Sequence, residues 1–375
     1  MMAEPEQRPV RIGLVGAGAI MRLSHGPTVS KSPDARLSGV FDPDGARAEA
    51  LAGEFGAALH TTKLETLLAS DIDAVIVASP NNLHEAAVVA AAAAGKHVFC
   101  EKPLSLDVAG ARRMIDACET AGVLLQVGFN QRFWSQVQIA KAVIDAGVIG
   151  PIHAAHSNYG EKWTAYPAAT TYRYDLARSG GATIIDLTIH RIDLLRHLVG
   201  EMTAVFADLS HHVLPQRVDD NVHVLTRFAS GARGVLTSNR YSPAIADGTT
   251  LYGERGTIHI ATETLNPFQA VPLAIYTESK ASDLPEVLRE AHYPDAWWKE
   301  FDGGWISVKP PRRSPYLAQL AAFCSSIRNG LPALVTGFDG LKAQEVVQAS
   351  YLSVRDGCWV ELPLPRDAAF VVPSY

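Results

Sequence analysis

The apolar run Val10–Val15 is followed at once by Gly16-Ala17-Gly18, and a helix-forming stretch starts near Ala19. A strand that passes into a helix through such a turn constrains the fold more than any other feature of the chain. Gly16 permits the tight turn, and Gly18, lacking a Cβ, leaves the backbone open beside the N–H groups of the helix start. The same grammar continues through residue 130. Strands are expected at 36–41, 74–78, His97–Cys100 and 124–129, with helices around 46–55, 64–69, 83–94 and Val108–Ala121. In the last helix Ala111, Met114, Ile115 and Cys118 form an apolar stripe, Asp107 is placed to cap its start, and Gly122 ends it. Strands alternating with helices imply right-handed crossovers between parallel strands, hence an α/β, doubly wound Rossmann sheet.

Past Gln131 the pattern changes. A helix over 136–146 and a strand over 152–159 lead into an aromatic, irregular stretch, then a long helix over 182–198. From Thr203 to Ile260 the chain reads as successive strands. Val222, Val224, Thr226 and Phe228 alternate with other partners, as in a sheet with one covered face. The Pro- and Trp-bearing stretch 262–314 lacks periodicity, and helices are expected at 317–328 and 340–355. With 375 residues, two domains are expected: 1–130, a Rossmann dinucleotide-binding domain, and 131–375, an α/β domain for substrate and oligomerisation.

Composition narrows the partners. A net charge of −6 without a basic run argues against nucleic acid, and no apolar stretch is long enough to span a membrane. The four cysteines are widely spaced and form no CxxC pair, which suits reduced thiols and a cytoplasmic address. The start of the chain has no secretory layout.

Four groups of residues carry chemistry. Gly16 and Gly18 form a dinucleotide-type turn whose third glycine is replaced by Met21. Asp42, at the end of the second strand, can accept hydrogen bonds from an adenosine ribose and would repel a 2′-phosphate. It favours NAD over NADP, although Arg47 could soften that preference and Asp42 could be a turn residue. Ser79-Pro80-Asn81-Asn82-Leu83-His84 lies at the carboxyl end of a strand, where open α/β sheets bind ligands, and Glu101-Lys102-Pro103 follows the strand His97–Cys100. Finally, Asp186 and His190 stand at i and i+4 on a helix that starts after Gly180-Gly181, an arrangement suited to a carboxylate orienting an imidazole base. Asp193 and His197 extend that face. A purely structural pair or a metal site would also fit the spacing, but no third ligand cluster accompanies it, so no metal is expected.

In this order and spacing, these motifs resemble the Gfo/Idh/MocA family, which includes glucose–fructose oxidoreductase and inositol dehydrogenases. The resemblance runs on through Gln126-Val-Gly-Phe-Asn130-Gln-Arg132-Phe133, Leu251-Tyr-Gly-Glu-Arg-Gly-Thr257 and the closing stretch from Phe323-Cys-Ser-Ser-Ile-Arg-Asn-Gly330 to Gly340-Leu341. It implies a Rossmann domain followed by an α/β domain with a large, mostly antiparallel open sheet, commonly used to form homodimers or homotetramers. It also implies catalytic roles for Lys102, Asp186 and His190, and a cis peptide between Lys102 and Pro103. Implied cofactor contacts are Gly16, Gly18, Asp42, Ser79, Pro80, Asn81, His84 and Glu101, with Ala19, Ile20, Lys102 and Asn130 completing the set. Substrate is expected to meet Lys102, Trp163, Tyr172, Arg173, Asp186 and His190, a mixture of ring faces, cations and acceptors suited to a sugar or polyol. Departures from the family pattern are Met21, Ser79 where Thr is common, and Tyr172-Arg173 where Trp-Arg is frequent.

The activity implied is NAD(H)-dependent hydride transfer at a carbinol carbon of a sugar, cyclitol or related polyol. Two other activities remain compatible with the same residues. One is an NAD-dependent glycoside hydrolase that oxidises its substrate transiently; the other is a non-catalytic dinucleotide sensor.

Overall fold

A computed structural model describes residues 8–162, 172–214, 217–242, 247–261, 271–291, 301–365, 368 and 370–372. The chain forms two compact units. The first comprises 1–130 together with two later stretches, 177–180 and 314–344; the second comprises 131–176, 181–313 and 345–375.

In the first unit, β1 (Val10–Val15), β2 (Ala35–Phe41), β3 (Leu59–Thr61), β4 (Ala74–Val77), β5 (His97–Cys100) and β6 (Leu125–Val127) form one sheet. Their order is β3-β2-β1-β4-β5-β6 and every pair is parallel. The order reverses beside β1, which places a ligand-binding crevice at the carboxyl ends of β1 and β4. Crossovers are made by α1 (Gly26–Lys31), α2 (Gly45–Phe55), α3 (Leu64–Leu68), α4 (His84–Ala93) and α5 (Val108–Ala121). Asp107 accepts the N–H of Gly110 to cap α5, and Gly122 closes it in the left-handed conformation. The three-residue β3 was not foreseen: Leu59-His60-Thr61 is too short and polar to show an alternation.

Asp34 and the edge strand β6 are gripped by chain that arrives late. α10 (Pro315–Asn329) places Leu320, Phe323 and Cys324 in the core with Ile12, Leu14 and Ile76, and Phe323 meets Phe99 edge-on at 5.9 Å. Val335 accepts the N–H of Val127, so the edge of β6 is paired and not left open. Arg328 closes the return with an ion pair to Asp34.

The second unit is built on a sheet ordered β14-β13-β12-β11-β7-β10-β9-β8-β15. Its strands are β7 (Ile152–Gly160), β8 (Met202–Ser210), β9 (Asn221–Phe228), β10 (Arg233–Asn239), β11 (Gly248–Gly253), β12 (Gly256–Ala261), β13 (Leu273–Lys280), β14 (Asp302–Val308) and β15 (Val360–Glu361). All pairs are antiparallel except β7 with β10. One face is buried through Val222, Val224, Leu236, Ala155, Leu251, Ile258, Ile275 and Ile306. Helix α6 (Ser135–Asp145) packs on β12 and α8 (Ile189–Val199) on β7. The short α7 (Leu176–Ser179) and α9 (Glu286–Ala291) and the long α11 (Gly337–Asp356) complete the helices described.

The other face of this sheet is open. Registers align Phe206, Leu225, Val235, His156 and Thr250 across β8, β9, β10, β7 and β11. Tyr252, Tyr276 and Trp305 stand exposed on the same side, the last by 63%. The stretch 262–314, expected to be irregular, supplies β13 and β14. Leu273, Ile275 and Thr277 alternate inward, but flanking Pro residues and Gly303-Gly304 hide that signal. Among the described residues no helix is long and apolar enough to cross a membrane.

Candidate active site

The first unit's site begins at the turn after β1. Gly16 has φ of +98°, and a Cβ there would lie 3.0 Å from the Ala78 carbonyl, so glycine is required twice over. At Gly18 an added Cβ would meet nothing within 4 Å, which leaves the backbone open on the side a pyrophosphate would approach. Asp42 is buried at the end of β2. Its Oδ2 accepts the Ala17 N–H at 2.7 Å and its Oδ1 that of Asp44 at 2.9 Å. One carboxylate thus ties the glycine turn to the neighbouring strand, and its remaining lone pairs can accept ribose hydroxyls. These residues fit a dinucleotide.

Met21, in the place of the third glycine, is fully buried in the core. The helix there is a π-turn over Met21–His25, which sends both Met21 and His25 inward. The close approach comes later, at Gly26, where a Cβ would lie 2.5 Å from the Phe55 ring of α2. Ala19 and Ile20 lie at the helix start, half-buried.

Around the ends of β4 and β5, Asn81 donates to the Ser179 carbonyl at 2.9 Å. His84 is buried with Nδ1 2.9 Å from the Pro103 carbonyl and Nε2 3.0 Å from that of Ser79. Burial pulls this imidazole below its ordinary range, against the raising effect of both carbonyls. His84 therefore pins the Ser79-Pro80 loop to the Lys102-Pro103 loop, and the Lys102–Pro103 peptide is cis. Asn130 opens a 3₁₀ turn just beyond β6, its N–H on the Gly128 carbonyl.

Glu101 is buried between two donors. Oε1 lies 2.7 Å from Nε2 of His25 and Oε2 accepts the Lys102 N–H at 3.1 Å. Burial pushes its carboxyl up, but the His25 hydrogen bond and the charges of His25 and Lys102 outweigh that and hold it below the usual range.

In the second unit, Gly181 has φ of +142°, and a Cβ there would run into the Tyr351 hydroxyl. A π-turn, Ile184–Thr188, follows and continues into α8. Its start is capped from a distance: the Asp219 carboxylate accepts the N–H groups of Ala182 at 3.0 Å and Ile184 at 2.7 Å. Desolvation lifts Asp219 to about 6 against those bonds.

Asp186 pairs with the buried guanidinium of Arg240, which also holds Glu161 at 2.7 Å, and Arg173 lies 3.7 Å from the same carboxylate oxygen. His190 faces Tyr159 edge-on, ring centroids 6.4 Å apart. Arg173 also covers the Tyr172 ring at 4.8 Å. Asp193, on the extension of this face, is committed to Arg132 through two contacts and lies near Arg196. Trp163 lies outside the described residues.

Residue-level reading of the sequence missed His25, Arg240, Asp219 and Glu161. His25 alone carried a local signal, the i, i+4 spacing from Met21. Arg240 and Asp219 reach their partners across 54 and more than 30 residues, beyond any periodicity.

Comparison with known proteins accords with this architecture. Residues 10–129 match a family described as "Oxidoreductase family, NAD-binding Rossmann fold", and 137–259 match the GFO/IDH/MocA C-terminal domain. Inositol 2-dehydrogenase of Rhizobium meliloti is 31% identical over 92% of this chain and 97% of that protein. Myo-inositol 2-dehydrogenase of Thermotoga maritima is 30% identical over 94% and 98%. Among solved structures, a putative myo-inositol dehydrogenase from Sinorhizobium meliloti superposes with a TM-score of 0.74 at 27% identity, covering 94% of this chain and 100% of that one. Levoglucosan dehydrogenase in complex with NADH shares the fold, with a TM-score of 0.80 at 24% identity over 95% and 100% of the two chains. The chain belongs to the Gfo/Idh/MocA family of oxidoreductases and carries that family's NAD-binding Rossmann fold.

Proposed function

We propose that this oxidoreductase moves a hydride between NAD and a carbinol carbon of a cyclitol, sugar or related polyol. The observation that carries the reading is Asp186 held in place by Arg240 one helical turn ahead of His190, in a chain whose other unit presents Lys102 directly after β5. NAD, held at Gly16, Gly18 and Asp42 with Ser79, Pro80, Asn81, His84 and Glu101 around it, supplies the hydride acceptor. The protein's own groups manage the proton. His190 takes it from the substrate hydroxyl, Lys102 donates a hydrogen bond to the oxygen left behind, and Asp186 sets the orientation. Tyr172 and Arg173 contribute a ring face and a cation suited to C–H surfaces and hydroxyls.

In this reading the first unit binds dinucleotide and the second binds substrate. The open sheet face of the second unit, with Leu225, Tyr252, Tyr276 and Trp305 exposed, supports pairing with a second copy into a dimer or tetramer. Three buried, unpaired cysteines, Cys100, Cys118 and Cys324, support a cytoplasmic location.

The test is NADH absorbance with purified protein and a panel of cyclitols, aldoses, sugar acids and glycosides. NADH growth with a cyclitol or sugar that is lost in Lys102→Ala supports the reading. Glycoside cleavage without net NADH, or dinucleotide binding without any turnover, overturns it in favour of a hydrolase or a sensor.

A further inference from the structure

We propose that His25 is a positioning residue for Lys102: it fixes the Glu101 carboxylate, and Glu101 fixes the peptide from which the lysine side chain departs. The proposal rests on the reading above in that it takes Lys102 as the group to be positioned.

The geometry is specific. The side chains of His25 and Glu101 are 4% and 9% exposed, and Nε2 lies 2.7 Å from Oε1. A carboxylate so deeply buried is costly to keep unless paired and hydrogen-bonded. The imidazole cannot swing away. It meets Phe99 edge-on at 5.3 Å and Tyr316 edge-on at 5.6 Å. The carboxylate packs against Gly128, whose missing side chain makes the room: a Cβ there would lie 2.9 Å from its carbon. With one oxygen against His25, the other is left aimed at the Lys102 N–H, 3.1 Å away.

A satisfied core histidine would explain the burial but not this chain of contacts. His25 reaches Glu101 from the end of a π-turn over Met21–His25 that follows the glycine turn. Both ends of that segment face inward, while Arg22 and Leu23 are exposed and Ser24 is half-buried. The element that follows the dinucleotide turn is thereby tied to the loop that presents Lys102. Besides His25, the groups that face Glu101 electrostatically are Lys102, His84 and Cys100. Only His25 and the Lys102 N–H are bonded to it.

His25→Leu removes the donor and His25→Gln keeps an N–H at a similar reach. For His25→Leu we expect kcat to fall about ten- to a hundredfold, as for a small misplacement of a reacting group, with NADH affinity by fluorescence changed by no more than about threefold. His25→Gln should return most of kcat. Parallel loss of kcat and NADH affinity would show a helix merely dislodged and would overturn the proposal, as would unchanged kcat or failure of the glutamine to rescue. A second readout needs no turnover. At neutral pH, infrared difference spectra should show a protonated carboxylic acid in His25→Leu that disappears on adding Glu101→Gln. Absence of that band overturns the proposal on its own. If the wild-type chain oxidises no polyol, the redox reading fails while the infrared result still decides whether His25 governs Glu101.

Discussion

Both units hold buried carboxylates with backbone N–H groups, as at Asp42 in the first and Asp219 and Asp220 in the second, and the second adds buried guanidiniums. In the first, Asp42 is satisfied by backbone N–H groups and Glu101 by one N–H and an imidazole. In the second, Asp186, Asp193 and Asp247 are each met by a buried guanidinium, from Arg240, Arg132 and Arg191. Arg191 adds a stacked contact with the Tyr159 ring at 4.5 Å. The difference suits the ligands proposed above, a dinucleotide for the first unit and a neutral polyol for the second. A dinucleotide brings its own negative phosphates, which helix-end and loop N–H groups can meet. A polyol is neutral and asks for acceptors and donors at fixed angles, which a frame of planar, multidentate guanidiniums supplies.

The contrast breaks most visibly at the reacting groups. If the second unit shares in the chemistry, His190→Ala should lower kcat by about 10²–10⁴-fold while NADH affinity stays near wild type. Near-normal turnover in steady-state assays would confine catalysis to the first unit. Next comes the guanidinium frame itself. Arg132→Met removes both close contacts of the buried Asp193, leaving Arg196 4.0 Å away, and urea unfolding should show a loss of about 3–5 kcal/mol. Pairing it with Asp193→Leu should return most of that loss, since two apolar groups leave no charge unpaired.

Asp219, held by the N–H groups of Ala182 and Ile184, sharpens the comparison through pH. Its folded value, raised by burial to about 6, stands above the ordinary 3.8, so folding retains a proton that the unfolded chain has released. The associated stability is complete below about 3.8 and is lost as pH rises through 6, an amount on the order of 3 kcal/mol at 1.36 kcal/mol per unit. Thermal unfolding at pH 5 and pH 7.5 should therefore separate wild type from Asp219→Asn, with the wild type losing more on the alkaline side. Equal slopes would mean that the loop relaxes around the charge. The smallest effect belongs to the first unit. Asp42→Ala should raise the KM for NAD about tenfold and narrow its preference over NADP, as expected for one or two lost bonds to a charged acceptor.

Legibility followed the range of the cause. The strand Val10–Val15, the capped helix Val108–Ala121 and the alternation in β9 are written in neighbouring residues, and the chain folds there as its pattern implies. The Gly16 turn and the Asp42 position were equally plain, because a turn that excludes a side chain leaves a glycine to read. Contacts closed over distance were not. His25 meets Glu101 across 76 positions, and nothing near either residue announces the other. The π-turns at Met21–His25 and Ile184–Thr188 escaped for a different reason. An inserted residue in a helix changes the phase of burial only after it, and a pattern fitted to a uniform helix averages it away. Strands β13 and β14 fell to Gly and Pro, which signal turns locally even where pairing with β12 overrides them.

The return of residues 314–344 to the first unit has a consequence for biosynthesis. A ribosome that has released residues 1–130 has not yet made Leu320, Phe323 and Cys324, which finish that unit's core, nor Val335, which pairs with Val127 on β6. The nascent Rossmann sheet must therefore wait, with an apolar flank and a free strand edge, while the whole of 181–313 is translated. The unit that begins the chain is completed only once residue 344 has been made, shortly before the last stretch of the second unit, 345–375. During that interval its apolar flank and unpaired strand edge are what a chaperone would meet.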